Sequence, residues 1–175
     1  MTTPSLTLAQ VNALDRPGFV GALGHLFEGP PWIVEAAWDA RPFATLDDLQ
    51  SKLVAVMYAA PVEQQVALIR AHPDLVGRAA LAGTLTPAST GEQAAAGLDS
   101  LTSDEITAFT RLNTEYRERF GFPFVICARE NKKESIFAGF ASRMSHTRDE
   151  EITTALGEIA KICRLRLLDT LRAAA

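Results

Sequence analysis

The stretch TSDEITAFTRLNTEYRERFG, residues 102–121, decides how the chain folds. Thr102 and Glu105 stand three positions apart, the spacing at which a threonine hydroxyl and a glutamate carboxylate satisfy each other's orphan amides at a helix start. Phe109, Leu112, Tyr116 and Phe120 then recur at intervals of three or four, which gathers them on one helical face. Gly121 supplies the residue that ends a helix without steric cost. A segment this long and regular is a helix with one buried side, and the flanking sequence repeats the pattern.

Toward the C-terminus, Pro123 introduces Phe124-Val125-Ile126-Cys127, whose composition is that of a strand. No other segment offers itself as a partner, and one strand makes no sheet, so the stretch reads as an extended connector. Phe137, Phe140 and Met144 mark another amphipathic helix, and the last is expected over 149–172 with Ile152, Leu156, Ile159 and Cys163 on its buried face. Toward the N-terminus, Ser89 and Glu92 have the spacing of a capping box opening a short helix that ends near Gly97. Pro61 starts a helix buried through Val62, Val66 and Ile69, which stops near Ala71 because Pro73 disfavours helical geometry at His72. Thr45 and Asp48 open the segment of Leu46, Leu49, Leu53 and Met57, and Pro17 precedes Phe19, Leu23, Leu26 and Phe27. The expected fold is all-α: a single compact multi-helix domain over residues 1–175 with one short extended connector.

Composition narrows the function classes. With 17 basic and 21 acidic residues the net charge is -4, which gives no cationic surface for a phosphate backbone, so no nucleic-acid partner is expected. No apolar run approaches the ~20 residues of a membrane span. Cys127 and Cys163 lack CxxC spacing and there is no leader-like N-terminus, which points to reduced thiols in the cytoplasm. No HxH, HxxxH or CxxC pair invites zinc, no glycine loop cradles a phosphate and no GxSxG elbow presents a serine, so neither metal nor cofactor is expected. A small-molecule enzyme that works through acid–base side chains fits these exclusions.

Of the three histidines, His25 falls within an amphipathic helix and His146 beside Arg148 and Asp149, where packing, capping or solvation accounts for them. His72 differs because a helix breaks there, so its imidazole is expected in a cleft, suited to moving a proton near neutral pH. A plain turn at His72-Pro73-Asp74 is the other reading. Glu92 is either the acid of the capping box or a second acid–base group beside His72, with helix-start amides binding an anion. Arg166 shares the apolar face of Ile159, Ile162 and Cys163, and there it meets a buried carboxylate, holds a substrate carboxylate, or snorkels from the helix end.

Three segments carry a resemblance: Leu68-Ile69-Arg70-Ala71-His72-Pro73-Asp74-Leu75, then Ser89 to Gln93 with Ala96-Gly97-Leu98, then Phe120 to Arg129. Together with Pro31-Trp32-Ile33, Arg41-Pro42-Phe43 and Leu165-Arg166-Leu167, in that order, the chain resembles the 2-oxo-4-hydroxy-4-carboxy-5-ureidoimidazoline (OHCU) decarboxylase family over nearly its whole length. The resemblance implies an all-helical, cofactor-free, commonly homodimeric carboxy-lyase performing the last step from urate to (S)-allantoin in purine catabolism, the ureide pathway. It makes His72 the catalytic histidine, with Glu92 and Arg166 catalytic beside it. It also places Pro73, Ser89, Glu92 and Gln93 against the substrate and assigns Phe124, Val125, Ile126, Cys127 and Ala128 to backbone recognition of the ring. A non-catalytic helical module binding a small anion or another protein, and a hydrolase that activates water on a ureide, are the competing readings of the same residues.

Overall fold

The computed structural model describes residues 6–77, 82–83 and 85–171. Among them are nine α-helices and no sheet. They are α1 (Leu8–Ala13), α2 (Arg16–Leu23), α3 (Trp32–Ala37), α4 (Leu46–Ala59), α5 (Val62–Arg70), α6 (Pro87–Ala95), α7 (Ser103–Phe120), α8 (Lys133–Arg143) and α9 (Arg148–Thr170). The chain divides into two compact units, one of residues 1–65 with 160–175 and the other of residues 66–159.

In the first unit, α2 packs on α3 and α3 on α4. Three of its helices, α1, α2 and α4, begin where a side chain accepts an orphan amide: Thr7 from Gln10, Asp15 from Gly18, Thr45 from Asp48. Pro17 occupies the first turn of α2, as expected, but the helix tightens into a 3-10 turn at Gly24–Leu26, so His25 lies in that turn. Phe19, Leu23, Leu49, Leu53, Met57, Cys163 and Leu167 are buried, and Phe19 stacks on Phe43 at 5.9 Å. Phe43 is fixed by Asn12, whose amide donates to the Phe43 carbonyl and accepts from its N–H, both at 2.9 Å. Leu6 and Leu171 form an isolated bridge.

The second unit is built on α7. The reciprocal cap of Thr102 and Glu105 is present, and Gly121 ends the helix with φ +79°. Its buried face is Phe109, Asn113, Tyr116 and Phe120; Asn113 takes the central place expected of Leu112 because its amide donates to the Leu75 carbonyl at 2.8 Å. The buried positions of α8 are likewise Ile136, Phe140 and Arg143, one residue away from the expected Phe137 and Met144. The last helix keeps Ile152, Leu156 and Ile159 buried as expected.

The extended connector has no ladder partner among the described residues, and side chains take the place of a neighbouring strand. Phe124 stacks on Phe140 at 3.8 Å and meets Tyr116 edge-on. A Cβ at Gly139 would lie 3.3 Å from the Phe124 ring, which shows how closely α8 approaches. Arg143 donates through Nη1 to the Val125 carbonyl at 2.7 Å and through Nε to Glu151 at 2.6 Å. Glu151, fully buried, also accepts from the Tyr116 hydroxyl and from His146 Nδ1 at 2.8 Å. His146 therefore has a specific buried partner in place of the capping or solvated role expected for it. Burial and the Glu151 carboxylate hold the Tyr116 phenol protonated far above its ordinary range.

Removing one member of such a pair strands a charge in the core. Arg143→Met is expected to lose about 3–5 kcal/mol in urea unfolding, the range for a broken buried ion pair. A loss under about 1 kcal/mol, the range of an exposed pair, would show that the network contributes nothing special.

Candidate functional site

His72 follows the end of α5, where its amide donates to the Ile69 carbonyl at 3.1 Å. The side chain is 6 % exposed, with Nδ1 2.9 Å from the Leu68 carbonyl oxygen. A carbonyl only accepts, so Nδ1 carries the proton and Nε2 is the basic nitrogen. The broken helix end thus fixes ring orientation and tautomer together. Arg70 holds that end by donating to the Gly121 carbonyl at 2.8 Å.

The loop after His72 is tied down residue by residue. Asp74 accepts two hydrogen bonds from Arg117 Nε, at 2.8 and 3.1 Å. Leu75 is held by Asn113, and the Val76 amide donates to Gln93 Oε1 at 3.1 Å. Val76 takes φ +53°, a conformation a β-branched residue avoids, and these bonds hold it there.

Gln93 belongs to α6, which begins earlier than the Ser89 and Glu92 spacing suggests. Its N-cap is Thr86, whose hydroxyl accepts from the Ser89 amide at 3.2 Å, with Pro87 in the first turn. Ser89 and Glu92 are therefore not a capping box. Ser89 is 5 % and Gln93 7 % exposed, Glu92 is half-buried, and at helical spacing these three share a face with buried Ala96. A helical face that buries polar groups is unusual for packing and ordinary for a binding site. That helix packs on the 3-10 turn Ala128–Glu130 at the end of the connector, and Lys132 Nζ donates to the Ala95 carbonyl at 2.9 Å.

The connector supplies buried Phe124, Val125, Cys127 and Ala128, with Ile126 half-buried. The Cys127 amide donates to Glu158 Oε2 at 2.7 Å. Burial, then the nearby carboxylates of Glu130, Glu158 and Glu92, push the Cys127 thiol up to about 11. It is protonated at neutral pH and unsuited to nucleophilic attack. The same effect places Glu92 in the electrostatic field of the connector. Cys163 is pushed up to about 12 by burial.

Arg166 is in the other unit, 4 % exposed, donating to Glu28 Oε1 at 2.9 Å and to the His25 carbonyl at 3.1 Å. Of the expected readings, a buried carboxylate side chain is realised by Glu28. Thr170 donates to the Arg166 carbonyl at 2.7 Å, so its hydroxyl accepts from His25 Nε2 at 2.9 Å. Burial and the Arg166 charge lower the His25 pKa, which keeps that ring neutral.

Four partners in the second unit escape sequence reading: Asn113, Arg143, Glu151 and Glu158. Each is a polar residue at an apolar-stripe position, a signal visible in the spacing but silent about its partner. Among the described residues no three His, Cys, Asp or Glu side chains gather as a metal site, and no helix is long and apolar enough to cross a membrane.

Comparison with known proteins agrees with this architecture. A family model described as OHCU decarboxylase matches residues 12–168. The chain is 44 % identical over 164 residues to the 2-oxo-4-hydroxy-4-carboxy-5-ureidoimidazoline decarboxylase of Haloferax volcanii, covering 94 % of this chain and 95 % of that one. It is 42 % identical over 167 residues to the protein of that name from Amia calva, covering 95 % of each. A crystal structure of (S)-allantoin synthase superimposes with a TM-score of 0.75 at 25 % identity, covering 95 % of this chain and 54 % of that one. With a family model spanning most of its length and full-length relatives above 40 % identity, this chain belongs to the OHCU decarboxylase family.

Proposed function

We propose that this chain decarboxylates 2-oxo-4-hydroxy-4-carboxy-5-ureidoimidazoline to (S)-allantoin and CO2, without metal or cofactor, as the final step of urate breakdown. The observation that carries the reading is buried His72, whose Nδ1 is committed to the Leu68 carbonyl and whose Nε2 is thereby the proton-exchanging atom. Full-length similarity to proteins named for this activity supports it. The reading takes residues 1–175 as one functional domain, since the family model runs across both compact units. It places the enzyme in the cytoplasm as a homodimer; a solution mass near the 18.9 kDa of one chain would overturn the dimer.

The substrate supplies its own electron sink. The carbon that bears the carboxylate also bears a hydroxyl and adjoins a ring C=N bond. As the C–C bond to the carboxylate breaks and CO2 leaves, that electron pair forms a carbon–carbon double bond and the ring nitrogen takes a proton. The resulting enol then loses its hydroxyl proton while the neighbouring carbon gains one on a single face, which fixes the (S) configuration. His72, steered by Glu92, handles the hydroxyl and shuttles the proton. Arg166, oriented by Glu28, is assigned the orienting cation. Ser89, Gln93 and Pro73 line the substrate, and the backbone of Phe124 to Ala128 reads its ring.

Freshly generated substrate incubated with the protein should yield optically active allantoin, followed by circular dichroism, faster than the spontaneous reaction. Racemic product at the spontaneous rate would reject the reading, and ring-opened allantoin would favour a ureide hydrolase. His72→Asn should cut turnover about 10²–10⁴-fold, the usual contribution of a positioned acid–base group, with the far-ultraviolet spectrum unchanged.

Because Thr86 rather than Ser89 caps α6, Glu92 and Thr86 should separate cleanly. Thr86→Ala is expected to cost about 1 kcal/mol of stability with turnover nearly intact, whereas Glu92→Gln loses turnover and less stability than that. The opposite pattern in unfolding and rate measurements would return Glu92 to a structural role. The connector is assigned to recognition through its backbone and the Cys127 thiol is protonated, so Cys127→Ala should keep kcat within about threefold. Loss of turnover there on the scale of His72→Asn would point to a thiol nucleophile.

A further inference from the structure

The connector is extended, so its backbone groups alternate between two sides, residue by residue. One side is spoken for at residues 125 and 127. The Val125 carbonyl accepts from Arg143 Nη1 at 2.7 Å, and the Cys127 amide donates to Glu158 Oε2 at 2.7 Å. The Cys127 carbonyl accepts from Asn131 Nδ2 at 3.0 Å and from the Glu130 amide at 3.1 Å. The anchors at the Val125 carbonyl and the Cys127 amide trace to α9, where Glu158 acts directly and Glu151 acts by holding Arg143. Residues 151 and 158 are two helical turns apart, so both carboxylates lie along one side of α9, at the edge of the apolar stripe of Ile152, Ala155, Leu156 and Ile159, Glu151 buried and Glu158 half-buried. An acid at such a position is costly unless it is bonded, and Glu158 is bonded to a backbone amide.

We infer that Glu158 is a positioning residue: by tethering the Cys127 amide to α9, it sets which backbone groups of the connector face the ureidoimidazoline ring. The inference rests on the decarboxylation reading, in which that backbone recognises the substrate. Glu158 acts through the connector and not on the reacting atoms. An extended segment that slips or rolls by one residue turns its other edge outward, so the Glu158 tether at the Cys127 amide, acting with Arg143 at the Val125 carbonyl, sets the direction of the backbone groups at that end. The length of the glutamate side chain, spanning from α9 to the Cys127 amide, is the operative feature.

Two conservative variants separate reach from charge. Glu158→Gln keeps an acceptor oxygen at the same reach without the charge, and Glu158→Asp keeps the charge but withdraws it by one methylene. Expected for Glu158→Gln is kcat/KM within about threefold of the parent and unchanged enantiomeric excess of allantoin. Expected for Glu158→Asp is a fall of about 10–100-fold in kcat/KM, the scale on which misplacing a substrate by about an ångström acts. Its enantiomeric excess should fall too, because a misaligned enol takes its proton on both faces; a merely structural loss would not change that ratio. Hydrogen exchange at the Cys127 amide gives an activity-free readout, with protection retained in Glu158→Gln and reduced at least tenfold in Glu158→Asp. Parent-like kinetics and product in Glu158→Asp would overturn the inference, as would a Glu158→Gln enzyme as impaired as Glu158→Asp. Should Glu158→Asp fail to fold, Glu158→Gln decides alone: protected amide with intact kcat/KM supports the tether, and protected amide with lost kcat/KM overturns it. A parent protein that shows only the spontaneous rate removes the decarboxylation reading and this inference with it, whereas an active parent with indifferent variants removes this inference alone.

Discussion

An extended segment buried among helices has no strand to satisfy its amides and carbonyls, and the second unit is organised around that deficit. Each unmet backbone group costs on the order of 1–3 kcal/mol if it stays unpaired, so side chains must reach it from the surrounding helices. Arg143 reaches the Val125 carbonyl from α8, Glu158 reaches the Cys127 amide from α9, and Asn131 closes the Cys127 carbonyl. An arginine buried for this purpose needs its own counter-charge, which explains why Glu151 lies fully buried with Tyr116 and His146 around it. A buried ion pair of this kind contributes less to net stability than its contacts suggest, because desolvation offsets most of the attraction. What it secures is one geometry for the connector.

The same logic of fixing groups by backbone bonds recurs at His72, the histidine proposed to carry the proton chemistry. The Leu68 carbonyl accepts from one imidazole nitrogen and so determines that Nδ1 carries a hydrogen. Arg117, Asn113 and Gln93 hold Asp74, Leu75 and Val76 in turn. Gln93 is the joint between two parts of the candidate site, since it anchors the histidine loop from the helix that also carries Ser89 and Glu92. In a proton-transfer reaction with its own electron sink, placing donors and acceptors is most of what the protein has to do.

The periodic helices, the break before His72 and the extended connector are legible in the sequence, whereas the distant partners of buried polar groups are not. Thr102, Glu105 and Gly121 bound α7 as read, because caps and stops act through residues a few positions apart. Ile152, Leu156 and Ile159 are buried as read, for the same local reason. The start of α6 was misplaced because two overlapping signals competed. Ser89 and Glu92 fit a capping box, yet Thr86 with Pro87 behind it caps as well and starts the helix three residues sooner. On α7 and α8, apolarity alone pointed to Leu112, Phe137 and Met144, while the buried positions went to Asn113, Ile136 and Arg143. Asn113 and Arg143 are buried because of backbone groups 38 and 18 residues away, information that no local window contains.

His72 and Arg166 show how differently the two kinds of candidate could be read. The histidine was identifiable from a local conflict, a helix pattern running into Pro73, and the structure explains that conflict by using the helix end to orient the ring. The arginine was identifiable only as a charge in an apolar stripe, a statement that something must answer it. Glu28 answers it from 138 residues away. Nη1 donates to the His25 carbonyl and Nη2 to Glu28 Oε1. This pairing keeps the planar group in one orientation, as the Leu68 carbonyl does for the imidazole. In both cases a neighbour in the same unit restricts the freedom of the side chain in advance.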